Sequence, residues 1–364
     1  MTTSLSSYLD QLERMDHDYP LLRMIQPDGS KAFAEDDYDV TLLLSFYKQM
    51  LRARMFDRKA INLQRQGRIG TYAPFEGQEA AQIGSASALQ QGDWMFPTYR
   101  DHAATMTYGH SLETIFRYWK GRIDGCVPPA GLNILPPSVP IATQLLHAVG
   151  ASWAERLKGQ DRVAIAYFGD GATSEGDFHE GLNFGSAFNT PTIFFCQNNH
   201  FAISVPIHKQ MKSRTIAQKA FAYDIEGIRV DGNDVLAVYK VMEYAVEKAR
   251  RGDGPTLIEA VTWRYGAHTT ADDPTKYRDQ SINEERRDED CLLRLERFLR
   301  QEGVFDEQQI EDATHEIAME IDEAVERFER AEEPNPNDMF DHVFEDLTPS
   351  LREQHQQFQK EVTS

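Results

Sequence analysis

Short apolar runs along the chain alternate with segments whose apolar residues recur at helical spacing. The runs end at charges, glycines or amides, which is typical of strands buried in a parallel sheet. They cover residues 163–168, 192–196, 228–230 and 256–265. Helical spacing predicts helices over residues 37–66, 76–90, 111–120, 141–157 and 234–250, and one more across 310–328. This alternation predicts an α/β fold: a mostly parallel sheet flanked by helices, with helical N- and C-terminal extensions.

The same patterns divide the chain into three parts. Residues 1–36 are polar with scattered apolar positions, and we expect them to form an N-terminal arm. Residues 37–290 contain every predicted strand and form the α/β domain. Residues 291–364 form an acidic helical C-terminal extension. Loops are predicted where Gly and Pro, or polar residues, dominate: 121–140, 209–222 and 269–290.

Negative charge is concentrated at the C-terminal end of this 364-residue chain, whose formal net charge is −20. Residues 271–364 carry 28 Asp and Glu against 11 Lys and Arg, whereas residues 1–270 carry 30 against 27. Because an acidic surface repels nucleic acid, we expect no nucleic-acid partner. We interpret the acidic end as a solvated face; a surface for a basic partner is the alternative.

Three further features limit the class of protein. There is no run of 18 apolar residues, so no transmembrane span is predicted. The N-terminus lacks both a secretory signal and an Arg-rich transit segment. Cys126, Cys196 and Cys291 are far apart and show no Cys-x-x-Cys spacing, as expected for inert thiols in a reducing compartment. We therefore expect a cytoplasmic protein without a membrane partner.

Two polar signals mark the ends of neighbouring predicted strands. Gly169, Asp170 and Gly171 follow the first strand, and Asn198 and Asn199 follow the next. Because the carboxyl ends of parallel strands collect ligands, we expect the Asp170 and Asn199 side chains to reach one ion. A carboxylate, an amide oxygen, a backbone carbonyl and two phosphate oxygens would complete an octahedral magnesium shell. The pair therefore predicts a divalent cation that holds a diphosphate.

The residues after the glycine turn support an anion site. Thr173 to Glu175 are predicted to form the first turn of a helix, whose N–H groups and dipole would face the diphosphate. An ordinary turn is the alternative, but two signals at adjacent strand ends favour the binding site. The Gly-x-Gly-x-x-Gly dinucleotide fingerprint is absent, because position 174 is Ser.

The two signals resemble the thiamine-diphosphate motif, and the sequence following Gly169 is similar to one branch of those enzymes. That branch is the alpha subunit of the decarboxylating component of 2-oxoacid dehydrogenase complexes, which includes pyruvate and branched-chain 2-oxoacid dehydrogenases. The resemblance covers roughly residues 20–350 and implies a thiamine-diphosphate-binding fold. Other blocks that carry it are residues 65–68, 77–80, 99–101, 135–137 and 264–268.

The resemblance implies a set of site residues that bind thiamine diphosphate and Mg²⁺. The implied cofactor-binding residues are Tyr99, Arg100, Ile141, Asp170, Gly171, Ala172, Asn199 and His268. The implied magnesium ligands are Asp170, Asn199 and the backbone carbonyl of Phe201. His268 is the implied catalytic residue; we expect it to orient the cofactor and to assist acyl transfer. Ile141 is implied to support the cofactor in its bent shape.

Two further sites follow from the resemblance alone. Ser138, Pro140, Thr143 and Gln144 match a loop that binds potassium in some relatives. Thr269 stands where some mitochondrial relatives have a phosphorylated serine, and whether this threonine is modified stays open. The segment from Thr269 to Arg278 is expected to be ordered by bound cofactor.

The implied reaction is the oxidative decarboxylation of a 2-oxoacid, with acyl transfer to the lipoyl group of an acyltransferase component. Pyruvate is the first choice, because Gln197 and residues 131–137 resemble the pyruvate-using bacterial branch, whereas some branched-chain enzymes carry arginine at position 197. A branched-chain 2-oxoacid (3-methyl-2-oxobutanoate) and acetoin are the alternatives.

The chain shows no region that would bind the aminopyrimidine ring of the cofactor. In two-subunit relatives, the glutamate that does so belongs to a beta subunit, so an α2β2 heterotetramer is implied. A nucleotide-binding regulatory protein with the same turn is the non-enzyme alternative. A transketolase-like enzyme is a further alternative, but it would need a longer chain or a partner without lipoyl transfer.

Overall fold

Six parallel strands form the central sheet of the protein. A computed structural model describes residues 19–33, 38–333, 335–341 and 343–362, so most of the predicted N-terminal arm lies outside the described residues. The strands are β1 (Trp94–Phe96), β2 (Asn133–Ile134), β3 (Ala164–Gly169), β4 (Thr192–Asn198), β7 (Glu226–Asp231) and β8 (Thr256–Val261). Their order is β2-β1-β3-β4-β8-β7. A small antiparallel hairpin contains β5 (Phe201–Ala202) and β6 (Val205–Pro206).

Helices surround the sheet and form most of the C-terminal region. The first group is α1 (Val40–Arg65), α2 (Glu79–Ser87), α3 (His102–Tyr108), α4 (Leu112–Trp119), α5 (Thr143–Leu157), α6 (Gly176–Ala187) and the short α7 (Ile207–Gln210). The second group is α8 (Val235–Arg250), α9 (Ser281–Glu285), α10 (Cys291–Gln301), α11 (Glu307–Arg330), α12 (Asp338–Asp341) and α13 (Pro349–Val362). Among the described residues, no helix is both long and apolar enough to span a bilayer.

Alternate residues of β3 and β4 enter different cores, as the period of two in a strand requires. Ile165 and Tyr167 pack with residues of α2 and α8 on one face of the sheet. Ala166 and Phe168 pack with residues of α5 and α6 on the other face. Since both faces are covered, the central strands are apolar throughout, which is why the sequence shows continuous runs rather than alternation.

A third core joins α1 to the helices that follow the sheet domain. Residues of α1 and α4 are buried together with residues of α10 and α11. The ring centroids of Phe56 and Phe116 lie 4.7 Å apart, and those of Phe116 and Phe328 lie 6.0 Å apart. Ion pairs reinforce this contact, because Arg52 and Lys59 of α1 bind acidic residues of α11. The division of the chain at residue 290 stays a prediction.

The predicted α/β class with a parallel sheet is confirmed, but several boundaries differ. β1 and β2 were not predicted, because two or three residues show no period; β2 lies inside the predicted loop 121–140. The last strand ends at Val261 rather than at residue 265. The helix after the Gly-Asp-Gly turn begins at Gly176, since residues 170–174 form a 3₁₀ turn first. The predicted loop 209–222 includes most of a 3₁₀ helix, Ala217–Tyr223.

Asp234 connects the N-terminal segment to the sheet domain, and its loss should destabilise the fold. Its Oδ1 caps α8 at Leu236 and Ala237, while its Oδ2 accepts hydrogen bonds of 2.7 Å from the N–H groups of Met24 and Ile25. We expect Asp234→Ala to lower the free energy of unfolding by about 3 kcal/mol, because buried donors lose their partner.

The matched control is Asp39→Ala, which removes an exposed cap of α1 that binds only two N–H groups. Its expected cost is about 1 kcal/mol. Urea unfolding followed by circular dichroism measures both variants. Equal losses in the two variants would contradict the assigned role of Asp234.

Candidate active site

A cleft opens at the carboxyl ends of β3 and β4, where the parallel sheet brings the two polar signals together. All the residues implied for cofactor and magnesium binding line this one cleft: Tyr99, Arg100, Ile141, Asp170, Gly171, Ala172, Asn199, Phe201 and His268. They come from segments far apart in the chain, so the fold assembles them. The individual roles of these residues stay predictions.

Asp170 provides the buried carboxylate of the cleft. It is 1% exposed, and its Oδ2 accepts a 2.8 Å hydrogen bond from Gln210 Nε2 on α7. Burial raises the pKa of Asp170 to about 6, against the lowering effects of Gln210, Arg264 and the backbone N–H of Asn199. A divalent cation beside this carboxylate would favour its ionised form.

The two asparagines at the end of β4 face different ways. Asn199 lines the cleft, whereas Asn198 turns away and donates a 2.8 Å hydrogen bond from Nδ2 to Glu259 Oε1. The other oxygen of Glu259 accepts from the N–H groups of Ile216 and Ala217. Asn198 therefore anchors the strand end, and Asn199 alone offers its amide to a ligand in the cleft.

Close packing at the turn explains why Gly171 carries no side chain. A Cβ at this position would lie 2.8 Å from the Cβ of Ala202, which belongs to the β5–β6 hairpin. In that hairpin Phe201 lies opposite Pro206, which has no N–H to donate to the Phe201 carbonyl. The glycine turn thus holds the hairpin close to Asp170.

The backbone after Asp170 differs from the predicted helix start. Gly171 and Ala172 lie in a 3₁₀ turn, and the α-helix begins later, at Gly176. Backbone N–H groups at the start of such a turn lack helical partners, as they do at a helix N-terminus. An anion site at this turn would therefore depend on the N–H groups of the 3₁₀ turn rather than on the dipole of a helix that begins here.

Arg100 is held at the floor of the cleft by backbone carbonyls. It is 6% exposed, and its Nη1 donates to the carbonyl of Pro74. Its Nη2 donates to the His268 carbonyl at 2.7 Å and faces His268 Nδ1 at 3.1 Å. Tyr99 lies beside it, with its ring 6.0 Å from the His268 ring.

His268 is constrained to one neutral tautomer. Its Nδ1 faces Arg100 Nη2 at 3.1 Å and Arg264 Nη1 at 3.0 Å. Since a guanidinium only donates, Nδ1 must accept, and the single ring proton must lie on Nε2. Burial and the charges of Arg100 and Arg264 lower the pKa of His268 to about 3. His268 therefore offers an N–H donor rather than a positive charge.

Arg264 is a residue of the cleft to which the sequence analysis assigned no role, although it belongs to the block 264–268 that carries the resemblance. It is 1% exposed and lines the cleft together with Asp170 and His268. Burial, with the neighbouring charge of Arg100, lowers the pKa of Arg264 to about 10. The predicted strand 256–265 included Arg264. Because β8 ends earlier, at Val261, Arg264 lies in the segment after the strand and lines the cleft.

The segment after His268 is tied to the cleft by its own side chains. Asp272 accepts from the His268 N–H at 2.9 Å and from the Tyr277 hydroxyl at 2.5 Å. Arg278 donates to the carbonyls of Arg264 and Tyr265. These bonds tie His268 and the segment after it to the cleft, and the expected ordering of residues 269–278 by bound cofactor stays a prediction.

The residues of the predicted potassium loop lie beside the cleft rather than on its wall. Ser138 Oγ donates to the Pro140 carbonyl at 2.8 Å. Gln144 Nε2 donates to the Tyr167 carbonyl at 2.7 Å, and within the described chain its Oε1 is buried without a hydrogen-bond partner. Thr143 begins α5. Ile141 is the residue of this loop that faces the cleft, with 39% of its surface exposed.

Comparisons with known proteins relate the whole chain to one group of enzymes. Residues 47–337 match the family described as Dehydrogenase E1 component. The chain is 42% identical over 355 residues to 3-methyl-2-oxobutanoate dehydrogenase subunit alpha of Mycobacterium tuberculosis, which covers 96% of both chains. It is 41% identical over 323 residues to pyruvate dehydrogenase E1 component subunit alpha of Acholeplasma laidlawii, covering 87% and 93%. The Staphylococcus aureus protein of the latter name is 37% identical over 362 residues, covering 98% of both.

The geometry predicts that the His268 ring remains neutral across the physiological pH range. A histidine in an unfolded chain titrates near pH 6.5, whereas burial and the charges of the two guanidiniums lower the pKa of His268 to about 3. NMR of protein labelled with ¹³C and ¹⁵N in histidine, with His268→Gln to assign the signals, should show an Nε2-protonated ring from pH 5 to 8. Protonation of His268 near pH 6.5 would contradict this geometry.

Proposed function

The chain belongs to the dehydrogenase E1 component family, and from this membership we propose that it is the alpha subunit of a thiamine-diphosphate-dependent pyruvate dehydrogenase. The protein is accordingly an oxidoreductase of the 2-oxoacid dehydrogenase class. The proposed reaction is the oxidative decarboxylation of pyruvate, followed by acetyl transfer to the lipoyl group of an acyltransferase component. The cytoplasmic location expected from the sequence is part of this proposal.

The structural observation that supports a diphosphate ligand is a pair of buried guanidiniums without a carboxylate partner. Within the described chain, neither Arg100 nor Arg264 forms an ion pair, and Arg264 Nε is buried without a hydrogen-bond partner. Both instead converge on the neutral nitrogen of His268. Because a buried charge needs a counter-charge, this arrangement fits a ligand with several anionic oxygens, such as a diphosphate.

The residues opposite these arginines fit one magnesium ion. Asp170, the Asn199 amide oxygen and the Phe201 carbonyl are the protein ligands we propose, with diphosphate oxygens completing the shell. The described residues contain no group of three His, Cys, Asp or Glu side chains placed for a metal. A site with one protein carboxylate suits a cation whose other ligands include phosphate oxygens.

A potassium ion at Ser138, Pro140, Thr143 and Gln144 is a further part of the proposal. The buried Gln144 oxygen, which has no hydrogen-bond partner in the described chain, supports it.

Thiamine diphosphate, when bound, supplies the carbanion chemistry that removes carbon dioxide from a 2-oxoacid. The residues of this chain bind and orient. Arg100 and Arg264 hold the diphosphate, while Gly171 and Ala172 offer backbone N–H groups. Ile141 presents an aliphatic surface to the cleft, on which the cofactor would rest. His268 lines the cleft with its proton on Nε2, and this N–H would donate a hydrogen bond during acyl transfer.

A partner chain is needed to complete the site. The described lining of the cleft includes two carboxylates, Asp101 and Asp170, and no glutamate. Asp101 is buried and bound to Thr98 and Gln197, so neither carboxylate is available for an aminopyrimidine ring. Exposed aliphatic side chains occur beside the cleft, including Ile203 at 54%. We propose that a beta subunit covers this region and supplies the missing carboxylate in an α2β2 heterotetramer.

Pyruvate is the proposed substrate, and 3-methyl-2-oxobutanoate is the second candidate. Gln197 favours pyruvate, because glutamine here resembles the pyruvate-using branch. The amides of Gln78 and Gln82, which donate to the Gln197 oxygen, would oppose an arginine at this position. The Mycobacterium tuberculosis relative favours the branched-chain substrate through its name. Acetoin stays the third candidate.

Co-expression with the candidate beta subunit tests the proposal. The complex should require thiamine diphosphate and Mg²⁺ and should reduce ferricyanide with pyruvate at a kcat/KM at least tenfold above that for 3-methyl-2-oxobutanoate.

Arg264→Gln should weaken thiamine diphosphate binding by tenfold or more, measured by calorimetry, because one guanidinium is lost. The control Arg52→Gln removes a surface ion pair on α1 and should bind normally. Stabilisation by a nucleotide, with no turnover of any 2-oxoacid, would instead favour the regulatory alternative.

Two substitutions of His268 should separate binding from acyl transfer. The amide oxygen of His268→Asn can replace Nδ1 as the acceptor for Arg100 and Arg264, but it lacks a donor at the position of Nε2. We expect this variant to bind thiamine diphosphate within about threefold of wild type and to transfer acetyl groups to lipoamide at least 100-fold more slowly.

His268→Ala should lose both properties, because the guanidiniums then face each other without an acceptor. Calorimetry measures the binding, and rapid-quench transfer to a free lipoyl domain measures the transfer step. Normal transfer by His268→Asn would exclude a role for the Nε2–H.

A further inference from the structure

We propose that Asp101 sets the orientation of the Asn199 amide through two buried glutamines, Gln197 and Gln78, and that these three are positioning residues for the magnesium site. The inference rests on the proposed function, since it concerns how the amide oxygen of Asn199 is presented to the cation. None of the three was singled out for this role by the sequence patterns.

The arrangement begins at Asp101, which only accepts hydrogen bonds when ionised. Its Oδ2 accepts from the N–H of Thr98 at 2.6 Å and from the Thr98 hydroxyl at 2.7 Å. Its Oδ1 accepts from Gln197 Nε2 at 2.5 Å. Because the Asp101 carboxylate must be met by donors, the NH₂ group of Gln197 has to point toward it.

Gln197 then presents its oxygen to the opposite side. Its Oε1 accepts from Gln78 Nε2 at 2.9 Å and from Gln82 Nε2 at 3.0 Å. Gln82 cannot turn round, since its own oxygen accepts from the N–H groups of Ala103 and Ala104 at the start of α3. Two donors therefore hold the Gln197 oxygen, and the NH₂ group of Gln78 is committed to it.

The last contact reaches the proposed metal ligand. With its NH₂ group committed, Gln78 presents Oε1 to Asn199 Nδ2 at 3.2 Å. The Asn199 oxygen is thereby directed away from Gln78, and it accepts from the N–H of Phe201 at 3.3 Å. A rotated Asn199 would place two oxygens together at Gln78 and an NH₂ group toward the cation.

Burial fixes the orientations of these four side chains. The exposed fractions are 1% for Asp101, 3% for Gln197, 1% for Gln78 and 7% for Asn199. Without water to replace a lost partner, each wrongly turned amide would leave a donor or acceptor unpaired. We call the series Asp101–Gln197–Gln78–Asn199 the amide relay.

An exchange of the carboxylate and the amide between positions 101 and 197 tests the amide relay. In Asp101→Asn alone, the new amide either turns its NH₂ group toward the NH₂ group of Gln197 or turns it toward the two donors of Thr98. Gln197→Glu alone places two carboxylates there. In the double variant, the amide at 101 donates to the carboxylate at 197, which still accepts from Gln78 and Gln82. The orientation of Asn199 is then restored, although two buried residues have changed.

The readout is the apparent Kd for Mg²⁺ at saturating thiamine diphosphate, measured by calorimetry on the complex with the beta subunit. Each single variant should bind Mg²⁺ tenfold or more weakly, and the double variant should return to within about threefold of wild type. Gln78→Met breaks the relay at its centre, so it should weaken binding equally in the wild-type and exchanged backgrounds. Ser152→Ala removes a buried hydroxyl of α5 that contacts Thr192 at the opposite end of β4, and it should leave the Mg²⁺ Kd unchanged.

The outcomes separate the two proposals. Singles that bind Mg²⁺ like wild type, or a folded double variant no better than the singles, would overturn the relay while leaving the proposed function intact. If the singles do not fold, Gln78→Met provides the decisive measurement, and a normal Kd in it would overturn the relay. A wild-type complex that binds thiamine diphosphate without any need for a divalent cation would overturn the proposed magnesium site itself.

Discussion

The parallel pairing of β3 with β4 is the constraint on which the cleft depends. Gly169 pairs with Gln197 in the register of these strands, so the residues that follow each strand emerge at the same edge of the sheet. Asp170 and Asn199 are adjacent for this reason, although helix α6 separates them in sequence. A shift of one residue would turn every side chain of β4 to the other face and remove the site.

The central part of this arrangement was predictable, because long buried strands leave a strong signal. The apolar runs of β3 and β4 and the polar residues after them placed Asp170 and Asn199 correctly at one edge. The shortest strands left no signal, since β1 and β2 together contribute five residues to the sheet. The 3₁₀ turn before α6 was also hidden, because Thr173 to Glu175 are as acceptable in a helix start as in a turn.

The cleft residues that were missed share one property: their importance lies in contacts between distant segments. Arg264 stands beyond the end of β8, and an arginine near a strand end looks like an ordinary surface residue until the fold buries it. Gln78 lies at the start of α2, where a neutral amide is unremarkable in sequence. The fold places it between Gln197 and Asn199, and no local pattern reports a partner 119 residues away.

Two guanidiniums that share one imidazole nitrogen have a consequence for the protein in the cell. Without a bound anion, the buried guanidiniums of Arg100 and Arg264 lack a counter-charge in the folded chain. In the unfolded chain, water solvates the same two groups. A ligand that binds only the folded form adds to its stability in proportion to the logarithm of its concentration. Quality-control proteases act on the unfolded fraction. A bound anion would therefore protect this chain from degradation by keeping a larger fraction of it folded.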